Sequence, residues 1–181
     1  MSAMVPPIRS ERLELVSLSA DAIEALLSGT SELNVPAEWP DDHDARFLRM
    51  RARQMRVEPD TQQWLARAVV LRSAERPVIG MAGFHGTPGV NEKDDPAALE
   101  LGYRIFPTYQ RHGYATEVAR ALMDWARDRH GITRFVASVA PTNEPSLAIV
   151  RGLGFVDTGR HWDDEDGLEL EFELQLQPRA G

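Results

Sequence analysis

Residues 97–139 constrain the fold more than any other part of the chain. "AALELGYRIF" (97–106) reads as a strand. Pro107 ends it, because proline cannot donate to a β-ladder. A helix follows over Tyr114 to His130, where Ala115, Val118, Ala119, Leu122 and Ala126 recur at helical spacing. Glu117 lies in its first turn, and Arg127, Arg129 and His130 lie in its last, complementing the helix dipole. Gly131 suits the position just past a helix end. "TRFVASV" (133–139) is a β-rich run. Strand, helix and strand in this order form a crossover, which joins parallel strands.

The flanking segments read as antiparallel sheet and further helices. "RLELVSL" (12–18) alternates as a strand. "SADAIEALLSG" is a short helix capped by Ser19 or Asp21 and ended by Gly29. Residues 43–58 form a second helix, with Phe47, Leu48, Met50 and Met55 off one face. "WLARAVVLRS" (64–73) and "PVIGMAGFHG" (77–86) form a hairpin, and 87–96 is a turn-rich, mobile loop. "NEPSLAIVRGLGF" (143–155) is a short helix with Asn143 as its cap, and "LELEFELQL" (168–176) is a closing strand. The sum is a mixed α/β sheet with helices on its faces.

A chain of 181 residues suits a single domain over 1–181. It has no cysteine, which excludes disulfides, thiolate zinc sites and a cysteine nucleophile. The five histidines are not spaced as ligands, so no metal is expected. The net charge of −8 argues against nucleic acid as a partner. Nothing approaches a membrane span, and the N-terminus lacks the apolar core of a signal peptide, so a cytoplasmic location is expected.

The segment "YQRHGYATE" (109–117) joins that strand to that helix. The first amides of a helix have no internal partners, and the helix dipole adds positive charge there. Phosphate is the usual occupant of such a turn. Gly113 permits close backbone approach, Ala115 is small, and Arg111 adds a charged donor. A plain turn that uses glycine for geometry is the other reading.

The run "LELGYRIFPTYQRHGYATEVARALMDWA" resembles the central signature of the GCN5-related N-acetyltransferases, the GNAT superfamily. That family carries Gln/Arg-x-x-Gly-x-Gly/Ala, which here is Gln110 to Ala115. Its Asn-x-x-Ser and Gly-Phe elements resemble Asn143, Ser146, Gly154 and Phe155. The opening "RSERLELVSLSADAIEALL" is similar to the ribosomal-protein N-terminal acetyltransferase (RimJ/RimL-like) branch. The resemblance implies an α/β (α+β) GNAT-like fold, a mixed and mostly antiparallel sheet of about seven strands with helices on both faces and a splayed parallel pair at the centre. It implies acetyl-CoA as co-substrate, with Arg111, His112, Gly113, Tyr114, Ala115 and Thr116 holding the pyrophosphate. The pantetheine arm would run beside free backbone groups at Ile105 and Phe106, with Asn143 and Ser146 on the other wall.

The implied reaction is acetyl transfer to an amine of a protein N-terminus or a small molecule, by a monomer or homodimer. Glu100 is the first candidate base, or else a solvent-facing strand residue. The acidic run Asp163, Asp164, Glu165 and Asp166 is the second, or a solvated turn. The family's usual tyrosine acid is replaced by Val150, which leaves Ser146 or water to protonate the thiolate. That replacement also motivates a non-catalytic acyl-CoA-binding module as the alternative. Trp39 and His43 fall where acceptor-binding helices sit in the family, and His85 could face the acceptor. Trp64, Trp125 and Trp162 are expected to be packing groups.

Overall fold

A computed structural model describes residues 5–164 and 167–179. Eight strands form a mixed, mostly antiparallel sheet, against the seven or so expected. In chain order they are β1 (Ile8–Arg9), β2 (Leu13–Ser17), β3 (Arg67–Leu71), β4 (Val78–Phe84), β5 (Ala98–Ile105), β6 (Arg134–Val139), β7 (Val156–Asp163) and β8 (Gly167–Gln175). The α-helices are α1 (Ala20–Leu27), α2 (Asp42–Val57), α3 (Tyr114–His130) and α4 (Glu144–Gly152). The chain divides into two compact units, Met1–Gly83 with Tyr103–Val118, and Phe84–Gly102 with Ala119–Gly181.

The first unit is built on the antiparallel run β1–β2–β3–β4. Its core gathers Leu18, Ile23, Leu48, Met55, Val78 and Phe106. Ser19 caps α1, its hydroxyl accepting from the Ala22 N–H at 3.1 Å. Asp41 caps α2 by accepting from the Asp44 N–H at 2.8 Å, so this helix starts one residue before the expected 43. Arg67 on β3 is fully buried, and burial lowers its pKa to about 10. It is still protonated at neutral pH, and it donates to the carbonyls of Leu15 (3.3 Å) and Gln63 (2.7 Å). Arg104 on β5 reaches Asp44 on α2 at 2.5 Å.

The second unit holds the parallel pair that the crossover demands. β5 pairs with β6 in parallel, from Ala98↔Arg134 to Glu100↔Val136. β6 continues antiparallel to β8 as far as Val139↔Leu170, and β8 pairs antiparallel with β7. Leu99, Leu122, Phe135 and Phe172 are buried at its centre. α3 ends where expected, with Gly131 at a φ of 69°.

Three local expectations are corrected. Trp64 and Leu65 precede β3 instead of opening it, because a 3-10 turn over Pro59–Gln63 runs into them. β7 was not resolved from the sequence as a strand of its own, since its polar residues do not alternate cleanly. Trp162 on β7 is 73% exposed and is not a packing group, whereas Trp64 is buried and Trp125 stacks on Phe84 at 6.2 Å.

Gly83 has no room for a side chain, because a Cβ there would sit 1.8 Å from the carbonyl oxygen of Leu65. Overpacking of this kind costs about 1–3 kcal/mol. Gly83→Ala should lower the Tm by roughly 2–10 °C in thermal unfolding followed by circular dichroism.

Candidate functional site

Two clusters carry the chemistry, one in each unit. In the first, a 3-10 turn (Pro107–Tyr109) leads β5 into the turn before α3. Arg111 has φ 66° and Gly113 φ 79°, with His112 between them. Alternation of this kind turns successive N–H groups toward one concavity, which suits an anion. Among the described residues, no acceptor faces the N–H groups of Arg111, His112, Gly113, Tyr114, Ala115 or Thr116. The first of the α3 amides with a partner is that of Glu117, which donates to the Gly113 carbonyl at 3.1 Å. Among the described residues these six consecutive N–H groups have no partner, and a helix start of this kind suits an anion. The Gly113 side is open, since the closest atom to a Cβ placed there is an Arg12 guanidinium nitrogen at 3.6 Å.

The turn is braced from a distant part of the chain. Arg12 donates to the His112 carbonyl at 3.0 Å and lies 4.6 Å over the Tyr114 ring. It also meets Glu117 twice, through its own N–H at 2.8 Å and its guanidinium at 2.7 Å. The Ser10 hydroxyl donates to the same carboxylate at 2.7 Å. Burial pushes the Glu117 carboxyl up, but Ser10 and Arg12 outweigh it and hold the group below the ordinary value of 4.5. The His112 ring is also engaged, its Nδ1 lying 2.7 Å from the Gln110 carbonyl and stacking its ring on Tyr114 at 5.6 Å. Nothing in the local sequence pointed to Arg12, which is 105 residues from Glu117.

One expectation at this end of β5 is revised. The backbone at Ile105 and Phe106 is not free. The Ile105 carbonyl accepts from Gln110 Nε2 at 2.9 Å, the Phe106 N–H donates to the Ile79 carbonyl at 2.9 Å, and the Phe106 carbonyl accepts from the Tyr109 N–H at 2.9 Å. Both side chains are buried, and Phe106 lies 5.3 Å from Trp39. His43 is exposed at the start of α2.

In the second unit the central group is Glu100, which is 0% exposed and so is not the solvent-facing residue its strand position also allowed. Its Oε1 accepts from the Ser138 hydroxyl at 2.7 Å, and its Oε2 accepts from the Glu92 N–H at 2.9 Å. His85 Nδ1 lies 3.5 Å from Oε1, and the His85 side chain is 45% exposed. The backbone places this pair opposite each other, since the His85 N–H donates to the Glu100 carbonyl at 2.9 Å. The Glu92 loop, expected to be turn-rich and mobile, carries several hydrogen bonds and an ion pair. Asn91 Nδ2 bonds the carbonyls of Asp95 (2.8 Å) and Ala98 (3.2 Å), and Lys93 is tied to Glu173 at 2.6 Å.

The other candidates resolve separately. Asn143 caps α4, its Oδ1 accepting from the Ser146 N–H at 3.2 Å. The Ser146 hydroxyl is half-buried and has no partner among the described residues. Val150 is buried in the core. Asp163 ends β7 and Asp164 is exposed, while Glu165 and Asp166 lie outside the described residues. Among the described residues, no group of His, Asp or Glu could hold a metal, and no helix is long and apolar enough to cross a membrane.

A mixed sheet with one parallel pair leads through an amide-lined turn into a helix start, an α/β architecture with an anion-binding turn. The family model described as the acetyltransferase (GNAT) domain matches residues 12–156, and the chain belongs to that family. Among relatives, it is 24% identical over 119 residues to YjdG, an uncharacterized N-acetyltransferase of Bacillus subtilis (strain 168), covering 66% of this chain and 67% of that one. The matches to two further Bacillus subtilis N-acetyltransferases span 44% and 47% of their length. It is 30% identical over 129 residues to aminoglycoside N(6')-acetyltransferase type 1 of Acinetobacter baumannii, covering 67% of this chain and 80% of that one. Its fold is shared with RimL, a ribosomal L7/L12 alpha-N-protein acetyltransferase solved with coenzyme A, at a TM-score of 0.66 and 19% identity, covering 96% of this chain and 99% of that one.

The bonds to Glu117 give a pH test. A carboxyl held below its ordinary value in the folded state adds stability above the unfolded value, and that stability is lost as pH falls through the folded one. Glu117→Gln should therefore lower the Tm near pH 7, and the gap to wild type should narrow as the pH falls below about 4.5.

Proposed function

We propose that this chain is an N-acetyltransferase which moves the acetyl group of acetyl-CoA directly to a primary amine, in a ternary complex, as a single domain acting in the cytoplasm. The observation that carries the reading is the run of unpartnered amides from Arg111 to Thr116. These amides and the Arg111 side chain hold the pyrophosphate. The strand end at Ile105 and Phe106 guides the pantetheine arm through the second lone pair of each carbonyl, since one is already used by Gln110 and by Tyr109.

The amine must be neutral to attack the thioester carbon. A lysine-type amine has a pKa of about 10.4 and an α-amine about 8, so a proton acceptor is needed. Glu100 supplies the carboxylate of that acceptor system. As the carbon–sulfur bond breaks, the Ser146 hydroxyl, which has no partner among the described residues, donates to the leaving thiolate, and water replaces the proton. Val150 cannot take this part, being an aliphatic residue in the core. The acceptor is a protein N-terminal α-amine or a small-molecule amine. The RimL and aminoglycoside enzymes act on acceptors of these two kinds by their names, and both are similar to this chain.

Thiol release from acetyl-CoA tests the reading, with kanamycin and Ala- and Ser-initiated peptides as acceptors. Turnover with any of them is expected. Tight coenzyme A binding in calorimetry with no turnover across the panel would instead establish a non-catalytic acyl-CoA-binding module. Gly113→Val should weaken coenzyme A binding by about tenfold or more, because a β-branched side chain at positive φ distorts the amide row. Unchanged affinity would remove the pyrophosphate seat from this turn.

A further inference from the structure

We propose that Arg12, which lies about a hundred residues outside the glycine turn, binds the pyrophosphate of coenzyme A directly as well as bracing that turn; this rests on the acetyl-CoA reading above. A guanidinium carries five N–H donors in one rigid plane. In Arg12, Nε donates to Glu117 at 2.7 Å and Nη1 donates to the His112 carbonyl at 3.0 Å. Among the described residues, Nη2 has no acceptor. It stands 3.6 Å from the place that a Cβ on Gly113 would take, beside the middle of the unpartnered amides. The side chain is 43% exposed, so a ligand seated in the turn can reach it.

Glu117 sets both the need for this cation and its direction. A carboxylate in the first turn of α3 suits the helix dipole but repels a phosphate arriving at the same helix start. Here its Oε1 accepts from the Ser10 hydroxyl and the Arg12 N–H, and its Oε2 accepts from Arg12 Nε. The carboxylate is thereby offset, and it holds the guanidinium so that Nη2 is left for the ligand. A charged donor to a phosphate oxygen is roughly twice as strong as a neutral one such as a main-chain amide.

Arg12 is also set in place before any ligand arrives. Its N–H is held by Glu117, and its carbonyl accepts from the Arg72 N–H at 2.8 Å. The Arg72 guanidinium donates to the neighbouring Ser10 carbonyl at 2.7 Å. Arg111, the arginine within the turn, is exposed and its side chain has no partner among the described residues. It must give up rotamer freedom to meet a phosphate, whereas Arg12 has already done so. Arg12 therefore contributes more to affinity than Arg111.

Calorimetric titration with coenzyme A and with 3′-dephospho-coenzyme A tests this assignment. Arg12→Ala should bind coenzyme A about tenfold or more weakly than wild type, and so should Arg12→Gln, which keeps a donor for the His112 carbonyl. The loss should be equal with 3′-dephospho-coenzyme A, which retains the pyrophosphate. Arg111→Ala should lose less, and Glu117→Gln, which removes the ionic brace but leaves the cation, should stay within about threefold of wild type. The fall in affinity with added salt should be shallower in Arg12→Gln than in wild type. Affinities within about threefold of wild type in both Arg12 variants would overturn the assignment. An equal loss in Glu117→Gln and Arg12→Gln would reduce Arg12 to a brace, and a loss seen with coenzyme A alone would place it on the 3′-phosphate; either result defeats the pyrophosphate contact. Wild-type protein that binds no coenzyme A would overturn the acetyl-CoA reading and this contact together, whereas tight wild-type binding with unaffected Arg12 variants overturns the contact alone.

Discussion

The parallel ladder between β5 and β6 runs for three residue pairs and stops at Glu100↔Val136, although both strands continue. Much of the chemistry follows from that stop. Where two strands remain paired, their main-chain groups are spent on each other. Where they part, side chains and loops must finish the hydrogen bonding, since buried polar groups left alone are costly. Glu100 sits at this point, and its carboxylate is completed by a β6 hydroxyl and a loop N–H. The unpartnered amides before α3 are the complementary case, donors left open at an exposed turn where a ligand or water can meet them.

Both clusters are held by contacts that keep charge in place. At the turn, Arg12 and Ser10 fix Glu117 in the first turn of α3, where a carboxylate also suits the helix dipole. Arg12 in addition ties down the His112 carbonyl and covers Tyr114, so the turn is braced while its N–H groups remain free. Around Glu100, the Asn91 and Lys93 bonds hold a loop whose composition reads as mobile. Short-range turn chemistry describes such a loop poorly, because its order comes from Glu171 and Glu173, far along the chain.

Local rules went a long way here. The spacing of Val118, Ala119, Leu122 and Ala126 located α3, and Gly131 marked its end at positive φ. Asn143 and Ser19 were legible as caps because a cap bonds an amide only a few residues ahead. Polar-rich β7 escaped, since edge strands with mixed faces carry little period-two signal. Trp162 was misjudged because size alone says nothing about which side of an outer strand a ring occupies.

The sequence by itself determined the crossover, the glycine turn and the family, because each depends on residues close together or on a motif in fixed order. Only the tertiary structure decided that Glu100 is buried and fully hydrogen-bonded, that His85 stands beside it, and that Arg12 braces the amide row. These depend on strand register and long-range packing, which bring together residues 15 to 105 positions apart and leave no periodic trace in the chain. For the same reason the main chain at Ile105 and Phe106, open by motif, proved to be engaged by Gln110, Ile79 and Tyr109.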